Sequence, residues 1–174
     1  YNGDYSGFSV LTRDNLGTAI VQGWEFGYQQ QLNFLPGFLK GTSLGANYTL
    51  LDTRGDFGGT ATRRTGEVAG FVPRAANVNL GWRHRSLSAR INANRKSGYI
   101  NNYTATGSGR NQYVQERTIV NAGIAYRYRP SLSFSLALGN VLNEPQVFYR
   151  GVPDQLSQYI SPGVTVTLGL SGRF

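Results

Sequence analysis

The sequence predicts an all-β chain: antiparallel strands of an up-and-down transmembrane β-barrel, about seven of them, forming the C-terminal part of a larger barrel. Three observations predict it. Apolar residues recur with a period of two in segment after segment. The other parity holds Ser, Gly, Asn, Gln, Thr and Arg, with almost no Lys. The joins between these segments alternate short and long. A period of two sends successive side chains to opposite faces of a strand. A soluble sheet alternates as well, but a solvated outer face is usually rich in Lys, Glu and Thr. Small and amide residues with some Arg suit a wall around a polar interior. Aromatics that gather near strand ends (Trp82, Tyr126, Tyr128, Phe174) suit the girdles of a lipid-facing band.

Composition narrows the class. The 174 residues have a net charge of +8, 15% charged and 40% hydrophobic residues, and no Cys. The charged fraction is below the ~25% usual in soluble domains, and the hydrophobic fraction is too high for a disordered chain. No run approaches the ~18 apolar residues of a membrane-spanning helix. Without Cys there is no disulfide framework or thiol nucleophile, and the single His84 leaves no His-based metal site. No metal and no cofactor are expected.

Taken in order, residues 1–16 read as an outer loop or the end of a preceding strand, and 17–174 as strands, short periplasmic turns and long outer loops. The start YNGDYSGFSV has no basic or apolar targeting run, so a targeting segment is expected upstream. In the first strand Ile20, Trp24, Phe26, Tyr28 and Leu32 oppose Gly23, Glu25, Gly27, Gln29 and Gln31, with Gln22 and Gln30 as exceptions on the apolar side. The second, Ser43–Leu51, sets Leu44, Ala46, Tyr48 and Leu50 against Gly45, Asn47 and Thr49. The third sets Ala76, Val78, Leu80 and Trp82 against Asn77, Asn79, Gly81 and Arg83. The fourth sets Leu87, Ala89, Ile91 and Ala93 against Ser88, Arg90, Asn92 and Asn94. The fifth sets Val120, Ala122, Ile124, Tyr126 and Tyr128 against Asn121, Gly123, Ala125, Arg127 and Arg129. The sixth sets Leu132, Phe134, Leu136 and Leu138 against Ser133, Ser135, Ala137 and Gly139. The last, Gly163–Phe174, sets Val164, Val166, Leu168, Leu170 and Phe174 against Thr165, Thr167, Gly169, Ser171 and Arg173.

Tight turns are expected at Arg83–Ser86 and Arg129–Ser131, and a somewhat longer Pro-Gly turn at Phe34–Thr42. The joins Asp52–Arg74, Ser97–Arg117 and Asn140–Pro162 read as long loops. Short turns on one side and long loops on the other is the wiring of an outer-membrane barrel. Single-chain barrels have an even number of strands, so seven do not close. Either Tyr5–Arg13 supplies an eighth strand or the chain is part of a larger barrel; its poor alternation favours the latter.

Four segments resemble the TonB-dependent outer-membrane receptors. Asn140–Glu144 (NVLNE) is similar to their Asn-Leu-Phe-Asn segment, and Ile20–Phe26 (IVQGWEF) to their Val-x-Gly-x-Glu strand through Val21, Gly23 and Glu25. Gly45–Leu51 (GANYTLL) is similar to their Asn-Tyr-Thr strand. The C-terminus resembles the outer-membrane assembly signal, with Thr167, Gly169 and Phe174 in place and Gly172 departing from it. The resemblance spans about Leu16 to Phe174. It implies a 22-stranded barrel with an N-terminal plug, in the outer membrane of a Gram-negative-type cell. It implies uptake of a scarce ligand, of the siderophore, cobalamin or oligosaccharide class, by TonB-coupled transport. The implied partners are outer-membrane lipid, the barrel-assembly machinery, a small-molecule ligand such as an iron–siderophore, and the TonB complex through an N-terminal region absent from this chain.

The candidate lumen-facing residues are Arg83, Arg90, Arg127 and Arg173. They are placed to line a path for anionic ligands, or to pair with acids on a plug or on other strands. Arg54, Asp56, Arg63, Arg64 and Glu67 form a charged outer-loop group, either solvated or in contact with ligand or the anionic outer leaflet. The Arg residues divide among strand faces, turns and loops, where a nucleic-acid binder gathers them on one face, so no nucleic-acid partner is expected. Tyr126 and Tyr128 point away from Arg127 and Arg129 by parity. The acids show no general acid–base spacing, and His84, read as a turn residue, has no nucleophile elbow near it; no enzyme is expected. Two alternatives stay open: a complete small outer-membrane barrel with a structural or adhesive role, and a soluble β-domain that binds a partner or polysaccharide.

Overall fold

A computed structural model describes residues 18–56, 66–104 and 108–172. Tyr5–Arg13, Arg63, Arg64, Arg173 and Phe174 lie outside the described residues. The strands are β1 (Thr18–Gln31), β2 (Thr42–Asp56), β3 (Arg74–His84), β4 (Leu87–Lys96), β5 (Tyr99–Asn102) and β6 (Gln112–Val114). There follow β7 (Arg117–Arg129), β8 (Leu132–Gly139), β9 (Gln146–Arg150), β10 (Val152–Ile160) and β11 (Thr165–Gly172). Seven of them form one antiparallel sheet in the order β1-β2-β3-β4-β7-β8-β11, a meander whose members are those read from the sequence. β1 and β11 are its edges. No helix among the described residues is long and apolar enough to cross a membrane.

Register turns the alternation into two continuous faces. On one, Leu44, Leu80, Ile91, Ala122, Leu138 and Val166 lie side by side across six strands. The next row is Trp82, Ala89, Ile124, Leu136 and Leu168. Nothing among the described residues covers them: Leu168 is 80% exposed and Trp24 73%. In water such a surface would be a large association patch. The only buried hydrophobics among the described residues are Ile100 and Val114, and both lie outside this sheet. The exceptions Gln22 and Gln30 are partnered on the apolar face, Gln22 donating to Asp52 at 3.4 Å and Gln30 accepting from the Tyr28 hydroxyl.

The long joins differ from the expectation. They carry strands of their own, β5, β6, β9 and β10, paired as a second sheet in the order β10-β9-β6-β5. β5, β6 and β10 adjoin β4, β7 and β11 across two to four residues and β9 follows β8 after six, so these segments continue the sheet as an outer storey. β5, β6 and β9, of three to five residues, leave too little alternation for period analysis, and the nine-residue β10 mixes Val152, Leu156 and Ile160 with Asp154 and Gln158 on one parity. β2 likewise runs past Leu51 to Asp56, because β1 pairs with it over its whole length from Thr18↔Asp56 to Gln31↔Ser43.

Two turn details also differ. The β3–β4 turn is only Arg85–Ser86, with Arg85 at φ 52, and His84 closes β3 opposite Leu87. His84 is therefore not a turn residue: it stacks on Trp82 with ring centroids 6.2 Å apart. At the β7–β8 turn a register shift after Arg127 rotates Arg129, whose guanidinium lies 5.2 Å over the Tyr128 ring instead of pointing away.

Candidate functional site

The face opposite the apolar band is mostly polar, with Val21, Leu51 and Ile119 as its large apolar exceptions. Gly45, Asn79, Asn92 and Asn121 form one row, and Asn47, Asn77 and Asn94 the next. Alternation assigns each Asn to this face, but only register sets them side by side. Asn92 donates to Asn79 and Asn94 to Asn92, which joins the two rows by amide hydrogen bonds.

Toward the short turns the same face becomes cationic. Ser43, Gly81, Arg90, Gly123, Ala137 and Thr167 share a row. Arg90 lies across Gly123, where an added Cβ would be 3.3 Å from its Nε. The neighbouring row is Arg83, Ser88, Ala125, Ser135 and Gly169, and one row further Arg127 faces Ser133. Arg83 and Arg90 are thus diagonal neighbours, with Arg127 a row beyond; all three are exposed and none is in a salt bridge among the described residues. Gly169 leaves room for the Ser135 hydroxyl, 2.4 Å from where a Cβ would stand.

Toward the long joins the sequence reading missed a second cationic pair. Lys96 and Arg117 stand directly opposite each other across β4 and β7 on this polar face. Like charges directly opposite are destabilising unless something negative joins them. The Arg117 guanidinium donates to Gln146 Oε1 at 3.0 Å. Arg117 closes the long join Ser97–Arg117, where period analysis gives no partner. Against these five cations the face carries one carboxylate among the described residues of the seven strands, Glu25 opposite Thr49.

Above them, in the outer storey, Tyr113 and Tyr149 are opposite each other and stacked, centroids 5.3 Å apart and planes 12° from parallel. Burial, then the neighbouring Tyr113, pushes the Tyr149 phenol above its ordinary value. The expected outer-loop group is not a cluster in the described residues. Arg54 sits on β2 and pairs with Asp52 at 3.0 Å, while the Glu67 carbonyl accepts the Tyr103 hydroxyl at 2.7 Å.

Two of the motif segments have a clear structural task. A Cβ on Gly23 would stand 2.4 Å from the Leu50 carbonyl oxygen, so only glycine lets β1 lie this close to β2. Asn140 is 8% exposed with φ 52, a conformation Asn tolerates well. Its Nδ2 donates to the carbonyls of Glu144 (3.2 Å) and Gly163 (3.1 Å), and its Oδ1 accepts from Glu144 N (2.9 Å). Its backbone N–H donates to Asn121 Oδ1 at 3.0 Å. One side chain therefore ties the exit of β8 to the entry of β11, and its backbone ties both to β7. This is the joint between wall and outer storey. No group of metal-ligating side chains occurs among the described residues.

No protein-family model matches the sequence, and no curated protein matches it. Among solved structures the chain is similar to the ferric citrate transporter FecA in its unliganded form. The likeness has a TM-score of 0.71 at 15% identity and covers 91% of this chain. The chain spans only 25% of that protein's length. The shared feature is therefore the fold: this chain is an all-β section of barrel wall, antiparallel and two-faced, similar to a quarter of a ferric citrate transporter and in line with the resemblance to TonB-dependent receptors.

Proposed function

We propose that this chain is part of the barrel wall of an outer-membrane receptor that takes up a scarce small ligand by TonB-coupled transport. The observation that carries the reading is the pairing of an uncovered apolar face with an amide- and cation-rich opposite face in one continuous sheet. Lipid satisfies the first and a wet lumen the second. The fold shared with a ferric citrate transporter supports it. Free edges on β1 and β11 favour further strands over a small closed barrel, since an open edge in hydrocarbon leaves peptide groups unpaired.

The ligand class is anionic, with ferric chelates of polycarboxylates or similar acids first. Lys96 and Arg117 near the outer storey, then Arg90, Arg83 and Arg127 toward the short turns, form a cationic succession along the lumen face, with the Asn rows between. Thr167 and Gly169, with Phe174, would be read by the assembly machinery. The wall does no chemistry on the ligand; it holds and passes it. The test is uptake of labelled ferric citrate, cobalamin and an oligosaccharide by cells with and without the intact gene, and with TonB inactive. Uptake of the ferric chelate should require both the gene and TonB. Unchanged uptake of all three probes in the disruptant would count against the proposal.

A further inference from the structure

Resting on that membrane reading, we infer that the β1–β2 turn is an interaction surface for the inner leaflet. It is an apolar foot that lies among the acyl chains and lengthens a lipid-facing band too short on β2–β4. On β3 the outward apolar run is Ala76, Val78, Leu80 and Trp82, and the runs Leu44–Leu50 on β2 and Leu87–Ala93 on β4 are as long. On the side of the long joins each run ends at a charge, since Asp52, Arg74 and Arg95 are the next outward residues. Such a run covers roughly 20 Å of strand and, at the tilt of a membrane strand, roughly 15 Å of bilayer. The apolar band of an outer-membrane barrel is about 25 Å tall, so about 10 Å is missing. With charges at one end, the missing height belongs on the side of the short turns.

The β1–β2 turn has the chemistry for that place. Phe34, Phe38 and Leu39 are exposed, and no acid occurs between Asn33 and Gly41. Residues Gly37–Gly41 form a 3-10 helix. The turn's one cation, Lys40, lines a cavity on the lumen side with Arg83 and Arg90, so its charge is kept from the lipid side. Carbonyls in and beside the turn are satisfied from within, as entry into hydrocarbon requires. Leu32 O accepts from Leu35 N–H at 3.1 Å, and Pro36 O from Leu39 N–H at 3.2 Å. Leu39 O accepts from the Thr42 hydroxyl at 2.7 Å. Phe38 O accepts from the Trp82 indole N–H at 2.8 Å. A Trp at a bilayer boundary ordinarily gives this N–H to water or a headgroup. Here it goes to the turn and seats the helix at the inner end of the outward face. A Cβ on Gly41 would collide with the Arg83 carbonyl, so the turn is pressed against β3. The other two short turns, Arg85–Ser86 and Pro130–Ser131, carry no Phe or Leu and stand beside Arg.

The test places a nitroxide on the full-length protein in phospholipid nanodiscs. The labelled variants are Phe38→Cys and Leu39→Cys in the turn, Ile91→Cys in the band and Arg85→Cys in the polar turn. Folding of each is checked by heat-modifiable gel mobility. Collisions with oxygen, which concentrates in hydrocarbon, are compared with those of a water-soluble nickel chelate. The labels at 38 and 39 should favour oxygen as the label at 91 does, while the label at 85 favours nickel. In a second measurement F34S/F38S is refolded into vesicles of shorter- and longer-chain phosphatidylcholine. Its folded-to-unfolded ratio, relative to the wild type, should fall at least about tenfold further in the longer-chain lipid, because the shortened band then mismatches the bilayer. Nickel contact at 38 and 39 like that at 85 overturns the inference, since the turn then stands in water. Labels that neither reagent reaches also overturn it, since protein then covers the turn. An equal loss of F34S/F38S in both lipids overturns the lengthening of the band. In each of these cases the label at 91 still favours oxygen and the membrane reading stands, whereas nickel contact at 91 removes both.

Discussion

Asn140 shows how much one side chain can carry. Its amide uses both donors and its carbonyl oxygen, and nearly all of it is out of solvent. Asn140→Ala leaves three backbone groups without these partners, at a cost of about 2–4 kcal/mol, measured as a lower urea midpoint for the barrel in detergent. Asn140→Gly keeps the positive φ but not the hydrogen bonds, so it should fall almost as far; equal stability for Gly and wild type would show that only the backbone conformation matters. Gly23→Val places carbon within 2.4 Å of the Leu50 carbonyl oxygen, which backbone cannot easily yield. It should lower the heat-modifiable fraction of the barrel. Both residues stand out in the sequence only through a resemblance; the reasons for them include contacts far along the chain, Asn140 with Gly163 and Gly23 with Leu50.

For the strands, the assignment of faces makes a sharp comparison. Leu136 shares its row with Ile124 and Leu168, while Ser135 shares one with Ala125 and Gly169. Leu136→Arg places a cation against hydrocarbon at a cost of about 2–4 kcal/mol, and Ser135→Arg places one on the polar face at little cost. Membrane assembly yields of the two should differ strongly; equal yields would reverse the faces. In the outer storey, the raised Tyr149 pKa has a definite sign. The folded state holds the phenolic proton more tightly than the unfolded chain, so this contribution is fully present below the ordinary value of 10.0 and is lost as pH rises through the folded value. Tyrosinate absorbance should therefore contain a late-titrating phenol that Tyr149→Phe removes. The storey reads as loop in the sequence, because β5, β6 and β9 are too short to show a period, β10 mixes polar and apolar residues on one parity, and their pairing lies across the long joins.

The molecule as a whole is a wall without an ordinary core. Its seven-stranded sheet is single-layered, and the two buried hydrophobics among the described residues sit in the outer storey. On the membrane reading proposed above, stability comes from register hydrogen bonds inside a solvent that does not compete for them. Expressed alone in water, this chain should aggregate, and in detergent it should fail to give the heat-resistant compact band of a closed barrel, because β1 and β11 lack partners. A compact, detergent-free monomer by size-exclusion chromatography would refute the membrane assignment.

Class, the seven wall strands and the face of nearly every residue in them are legible in the alternation of side chains alone. A side chain's face depends only on its parity along one strand, which is local information. What the tertiary structure decided is which residues stand beside one another. The Lys96–Arg117 pair, the joined Asn rows, the knot at Asn140 and the Arg74–Arg95 edge all arise from register between strands. Register is fixed by cooperative hydrogen bonding between segments far apart in the chain, and no single strand records it.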